Sequence, residues 1–199
     1  MVREKIYTIG HSTYPLAQFI AILHQHGISA LCDVRSSPYS RYNPQFNRET
    51  LKDELKKHGI SYVYLGKELG PRSDDPSCYA VGQVQYDLLA QTELFQEGIA
   101  RLKEGMKSFQ IALMCAEKDP IVCHRTILVC RALEKEGITI AHILEDGRVE
   151  THRGAMNRLR ALLKLPEYDM FTSAEEMNQR AYDLQGQKIA YVKTEEDGE

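Results

Sequence analysis

Three times in this chain a helical run ends at a glycine, passes through isoleucine and enters a β-rich segment. The stretches are HQHGISALCDV, KKHGISYVYLG and EKEGITIAHIL, turning at Gly27-Ile28, Gly59-Ile60 and Gly137-Ile138. A glycine just past a helix accepts the left-handed backbone that closes the last turn. The β-branched residue after it suits a strand. Helices that hand over directly to strands demand alternating α and β elements, and hence a mainly parallel sheet with helices on both faces. The expectation is a Rossmann-like α/β fold of about five strands: KIYTIG, SALCDV, SYVYLG, FQIALMCA and TIAHIL.

The helices between them read as PLAQFIAILHQH, capped by Ser12 or Thr13, then RETLKDELKKH, capped by Asn47. A long helix runs from about Val84 to Lys107, and a fourth from Cys123 to Glu136. A turn at Glu145-Asp146-Gly147 leads to a short strand, RVETH. Residues 1–150 thus form the α/β domain. Residues 151–199 are a helical extension packed on it, with a frayed acidic end, KTEEDGE.

A chain of 199 residues, 43% hydrophobic and 27% charged, suits one globular unit. No apolar run is long enough for a membrane helix, and MVREKIYTIG lacks the pattern of a signal peptide. The chain reads as cytoplasmic, its five cysteines as reduced thiols. A net charge of −3 gives no global attraction to nucleic acid, although a local basic patch is compatible with it.

Open parallel sheets bind ligands beyond the carboxyl ends of their strands. There this sequence places His11 and Ser12 after strand one, Asp33 and Arg35 after strand two, and Cys115, Glu117, Lys118 and Asp119 after strand four. Cys123-His124-Arg125 opens the fourth helix, where free N–H groups and the helix dipole favour a thiolate or a bound anion. Cys130 and Cys32 read as core, and Cys78 as a loop cysteine without partners. His24, His26 and His58 lie at helix ends and carry no expected function.

Several chemistries are excluded. Phosphatase and rhodanese loops place Arg six residues after a nucleophilic Cys; here those positions are Ile121 and Val129. There is no zinc-deaminase signature, no phosphate-binding Gly-rich loop and no dinucleotide fingerprint. A structural zinc site commonly pairs C-x-x-C motifs. Cys115, Cys123 and His124 are the residues a metal would use, but their spacing does not match, so neither metal nor cofactor is expected.

YTIGHS, DVRSSPYSRYNPQFN, YLGKELG and LMCAEKDPIVCHR followed by GITIAHI resemble the family called domain of unknown function 488, over about residues 5 to 147. The family's Gly-Gly-Arg-like loop after strand three stands here as Leu69-Gly70-Pro71-Arg72. The resemblance implies a Rossmann-like fold and supplies no activity.

The leading expectation is an enzyme acting on a small anionic, nucleotide-like ligand. Cys123 serves as nucleophile, assisted by His11 or His124, and Glu117 or Asp33 as acid or base. Arg35, Arg41 and Arg125, with His124, Tyr39 and Ser12, hold the anion; Tyr39, Tyr42 and Phe46 stack on a base or cover the pocket. A second reading is a nucleotide- or nucleic-acid-binding module without catalysis, using that loop and the basic segment HRGAMNRLRALLK. A third is a thiol-redox or metal protein built on Cys115 and Cys123.

Overall fold

The three glycine junctions form as expected. In the computed structural model, which describes residues 5–166 and 172–193, Gly27, Gly59 and Gly137 have φ of 63°, 71° and 76°. The N–H groups of Ile28, Ile60 and Ile138 then reach back to the carbonyls of Leu23, Leu55 and Leu133 at 3.0, 3.0 and 3.1 Å. That closes each helix and aims the chain straight into a strand. The acidic end beyond Lys193, and residues 1–4 of the charged start, lie outside the described residues.

The order is β1 (Lys5–Gly10), α1 (Leu16–Gln25), β2 (Ala30–Asp33), α2 (Arg48–Lys57), β3 (Ser61–Tyr64), α3 (Gly66–Leu69) and the small hairpin β4 (Tyr79–Ala80) with β5 (Gln83–Val84). Then come α4 (Tyr86–Leu89), α5 (Glu93–Met106), β6 (Ile111–Cys115), α6 (Arg131–Lys135), β7 (Thr139–Ile143), β8 (Val149–Thr151), α7 (His152–Leu162) and α8 (Ala174–Ile189). The main sheet has six strands rather than five, in the order β3-β2-β6-β1-β7-β8. The additional strand, β8, is the short RVETH segment, pairing antiparallel with β7 at the edge.

The expected helix from 84 to 107 is broken. Thr92 accepts a hydrogen bond from Phe95 N at 3.2 Å and so starts α5 afresh after α4. The helix expected from Cys123 begins as a π-helical stretch, Arg125–Cys130, before tightening into α6. Neither expected cap of α1 forms: Pro15 holds that position with no side-chain cap, and Ser12 adopts φ 44°. Asn47 precedes α2, but its side chain accepts from Ser40 N at 2.8 Å instead.

Strand alternation divides the core in two. Ala112 and Met114 of β6 face the cluster of Phe19, Phe46, Leu51 and Leu55 under α1 and α2. Ile111, Leu113 and Cys115 face the larger cluster with α5, the π-helical stretch, α7 and α8. The chain leaves β1 toward β2 on one side and leaves β6 toward β7 on the other. The carboxyl ends of these two neighbours are therefore the switch point of the sheet, where α/β proteins open a crevice.

Candidate metal centre

The side chains expected at the carboxyl edge do gather there, but in two clusters on opposite faces of the sheet. β1 ends against the loop that follows β6: His11 N donates to Cys115 O, and Ser12 N to Ala116 O, both at 2.9 Å. This approach requires Gly10, since a Cβ there would lie 1.9 Å from the Glu117 carbonyl oxygen.

The first cluster faces α1 and α2. Asp33, fully buried, accepts from Arg35 through Nε at 2.9 Å and Nη2 at 2.6 Å, from Arg35 N at 3.1 Å and from the Tyr62 hydroxyl at 2.7 Å. Arg35 also donates to Phe46 O at 2.8 Å and meets His11 Nε2 at 3.1 Å. His11 stacks on Phe46 at 4.3 Å, and its Nδ1 donates to Ser12 O at 2.9 Å. A guanidinium can only donate and a carbonyl can only accept, so His11 is the neutral tautomer with Nε2 as acceptor. Burial first, and then the charge of Arg35, lower its pKa to about 4. Asp33, Arg35 and His11 thus satisfy one another. This assembly has no spare acid, base or cation to offer a ligand.

The second cluster faces α5 and the π-helical stretch. Cys115 ends β6, Glu117 follows in the loop, and Cys123 and His124 come after a turn whose Asp119 side chain accepts from Ile121 N. Cys115 and Cys123 Sγ lie 2.8 and 2.9 Å from the same Glu117 oxygen, Oε2. His124 Nδ1 lies 3.6 Å from Cys115 Sγ and 3.9 Å from Cys123 Sγ. Four donor atoms, one from each residue, fall within 4.8 Å of one another. The other imidazole nitrogen of His124, Nε2, donates to Val34 O at 2.9 Å. That bond places the proton on Nε2 and leaves the Nδ1 lone pair facing the two sulfurs, the tautomer control common behind metal-bound histidines. Tetrahedral zinc with ordinary bond lengths holds sulfur and nitrogen about 3.6 Å apart, close to both separations here. The carboxylate is nearer to the thiols than a shared metal would leave it, and would withdraw by less than ~1 Å.

Charge follows the same pattern. Arg125 is fully buried; Nη1 donates to Glu117 O at 2.7 Å and Nη2 to Lys118 O at 3.2 Å. Burial alone would weaken its cation, yet the sulfurs of Cys123 and Cys115 and, further down, Glu117 raise its pKa. Without metal, burial holds the Cys123 thiol well above its ordinary range, against the opposing pull of Arg125. Cys123 is 1% exposed, so it is not the activated surface thiolate that a helix N-terminus suggested. Burial pushes the Glu117 carboxyl up, but the hydrogen bonds from Cys115 and Cys123 outweigh it and keep its pKa below the ordinary value.

Tyr39 and Arg41 stay outside both clusters on an exposed loop, Tyr39 donating to Glu49 at 3.0 Å. Arg35 and Arg125 spend their guanidinium groups on internal partners. Of the residues named for an anion cleft, Arg35, Arg125 and His124 are buried in packed clusters. The sequence reading missed Tyr86, which sat unremarked in the start of the expected third helix. Its hydroxyl is buried and has no hydrogen-bond partner among the described residues.

Fold and site together define a doubly wound α/β protein with a donor set of two cysteines, one histidine and one glutamate at its switch point. The chain belongs to the family described as Domain of unknown function DUF488, whose model matches residues 15–132. No curated protein matches the chain. Among solved structures, a "Putative phosphatase (DUF442)" from Shewanella putrefaciens CN-32 is 10% identical over 94% of this chain and 89% of that one, with a TM-score of 0.39. So distant a likeness carries no argument about chemistry.

Proposed function

We propose that this protein is a metalloprotein binding one thiophilic divalent cation of the zinc class through Cys115, Glu117, Cys123 and His124. The observation that carries the reading is the convergence of two sulfurs, a carboxylate oxygen and a lone pair aimed by Val34 O within 4.8 Å. Two thiolates, a carboxylate and a divalent ion sum to one negative charge, which the buried Arg125, without an ion pair among the described residues, would balance. A buried cation with no such partner is otherwise costly. The sequence spacing argued against metal because it sought paired C-x-x-C motifs, whereas this donor set uses a strand end, its loop and the following turn.

The small-anion reading survives in a changed form. With Arg35 and Arg125 already occupied, the metal is the group available to hold an anion. A redox pair of Cys115 and Cys123 is the second reading, favoured by the two sulfurs sharing one carboxylate oxygen.

Metal-free, reduced protein titrated with Co2+ tests the proposal. One equivalent per chain should bind and give thiolate-to-cobalt charge-transfer absorption. Those bands should vanish in a Cys115→Ser, Cys123→Ser double variant. A wild type that takes up no cobalt sinks the metal reading, and facile formation of a Cys115–Cys123 disulfide in the same sample would favour the redox reading.

A further inference from the structure

We infer that the open edge of β3, with the basic stripe of α2 beside it, is a docking surface for an extended acidic segment of a partner protein, which joins the sheet as a further strand. The surface does not depend on the metal reading. It lies on the α2 side of the sheet, whereas the donor cluster faces α5.

The backbone of β3 is open. It is the outermost strand and pairs only with β2. Along the edge of a parallel sheet only every second residue bonds the neighbouring strand. Ser61 N and Leu65 N turn inward, each 2.9 Å from its acceptor, Ser29 O and Asp33 O. Tyr62 and Tyr64 therefore turn their N–H and C=O groups outward, where no main-chain partner meets them among the described residues. The strand is exposed at Ser61 and half-buried from Tyr62 to Tyr64, while β2 and β6 are buried throughout. Folds commonly block such an edge with a proline or a bulge. Here SYVY has no proline and pairs with β2 in unbroken register. The opposite edge, β8, is only three residues long, and its Glu150 is engaged by Arg158.

The charge beside that edge selects the partner. Arg48, Lys52 and Lys56 recur every four residues and so form one stripe along α2. Both ends of the stripe meet β3. The Arg48 guanidinium lies over the Tyr64 ring at 4.4 Å, and Lys52 and Lys56 line a groove of about 390 Å3 with Ile60, Ser61 and Tyr62. None of the three cations has an ion pair among the described residues. The nearby acids are used elsewhere: Glu54 holds Lys57 at 2.8 Å, and Glu49 accepts from the Tyr39 hydroxyl.

Four residues of helix advance about 6 Å, and two residues of strand about 6.7 Å. An added strand thus sets every second side chain against successive cations of the stripe, and acidic residues at alternate positions fit it. A second copy of this chain fits badly. Antiparallel pairing of β3 with β3 around a two-fold axis keeps both α2 helices on one face and brings two basic stripes together. A nucleic-acid strand would meet the cations but has no peptide groups to pair with Tyr62 and Tyr64.

The probe is a short, acetylated and amidated peptide in which glutamate alternates with threonine. It should bind the full chain saturably at low salt and more weakly as salt rises. At saturation, hydrogen exchange of the Tyr62 and Tyr64 amides should slow by about tenfold or more. The double variant Lys52→Glu, Lys56→Glu should bind this peptide about tenfold more weakly, or worse, and should gain affinity for the matching lysine–threonine peptide. Both side chains are exposed, and that gain shows the variant to be folded. Absence of binding, equal affinity in the double variant, or saturation without slower exchange at Tyr62 and Tyr64 would overturn the inference. Tighter binding of oligodeoxythymidine than of the peptide, with those amides still exchanging freely, would overturn it in favour of a nucleic-acid surface.

Discussion

Asp33 and Arg35 show how a residue's role follows from where its side chain is satisfied. Read along the chain they are a candidate acid and a candidate anion clamp. Folded, the carboxylate collects four hydrogen bonds, three of them from Arg35, and both residues are sealed from water. Their contribution is structural: they hold the end of β2 against Phe46 and His11. Asp33→Asn keeps the shape and removes the charge, stranding a buried guanidinium. It should cost about 3–5 kcal/mol of stability, read as a lowered urea midpoint with an unchanged slope. A loss under ~1 kcal/mol would show that the pair is dispensable. The same substitution should leave the cobalt stoichiometry of the folded protein unchanged, because Asp33 lies on the other face of the sheet.

Between elements, the decisive contact is β1 against the loop after β6. Glu117 is held in place because its own carbonyl packs onto Gly10, and because Arg125 grips the carbonyls of Glu117 and Lys118. Gly10→Ala would drive a methyl group to 1.9 Å from that carbonyl oxygen, so the loop must lift. The expected result is a folded protein whose cobalt affinity falls at least tenfold. Gly105→Ala, in the interior of α5, is the control. Its Cβ would meet only the Ile111 Cδ1 atom, at 3.2 Å, and alanine is the better helix former. Equal cobalt affinity in both variants would mean that the loop is not held by β1.

Across the whole molecule, a buried polar chain ties the last helices to the sheet. Thr8 Oγ1 lies 2.8 Å from His142 Nδ1, His142 Nε2 2.9 Å from His152 Nδ1, and His152 Nε2 2.6 Å from the Tyr182 hydroxyl, which donates to Glu134 at 2.9 Å. Tyr182 donates to Glu134, so its oxygen accepts from His152 Nε2. Burial first, then His152, hold the pKa of His142 well below 6.5, as burial and then Arg35 hold that of His11 at about 4. An unfolded histidine takes up its proton near pH 6.5. Below that pH the unfolded chain binds protons that the folded chain refuses, so stability falls on acidification. Each such histidine contributes about 1.4 kcal/mol per pH unit, or ~3 kcal/mol for the two together. Unfolding free energies of the metal-free protein should therefore fall steadily between about pH 6.5 and pH 5 and be flat above about pH 7. No loss across that window would mean that these histidines are not held neutral.

How much of this was legible beforehand depends on the range of the interaction concerned. The α/β alternation, the strands and the three helix ends were readable because a Gly-Ile handover and an apolar run are local properties of the backbone. The gathering of Cys115, Glu117, Cys123 and His124 at the carboxyl edge was readable from chain order in a parallel sheet. Which face each residue would take was not read, and strand alternation decides it: Cys115 goes to the α5 side, while Asp33 joins His11 on the other. The restart at Thr92 and the π-helical opening after His124 depend on packing that no propensity carries. Tyr86 and the Val34 carbonyl behind His124 have no sequence signal, because a hydroxyl left without a partner and an imidazole aimed by a backbone oxygen are facts of burial. By itself the sequence determined which chemical groups arrive at one edge of the sheet. Only the tertiary structure decided which of them spend their charge on one another and which converge as sulfur, nitrogen and oxygen donors.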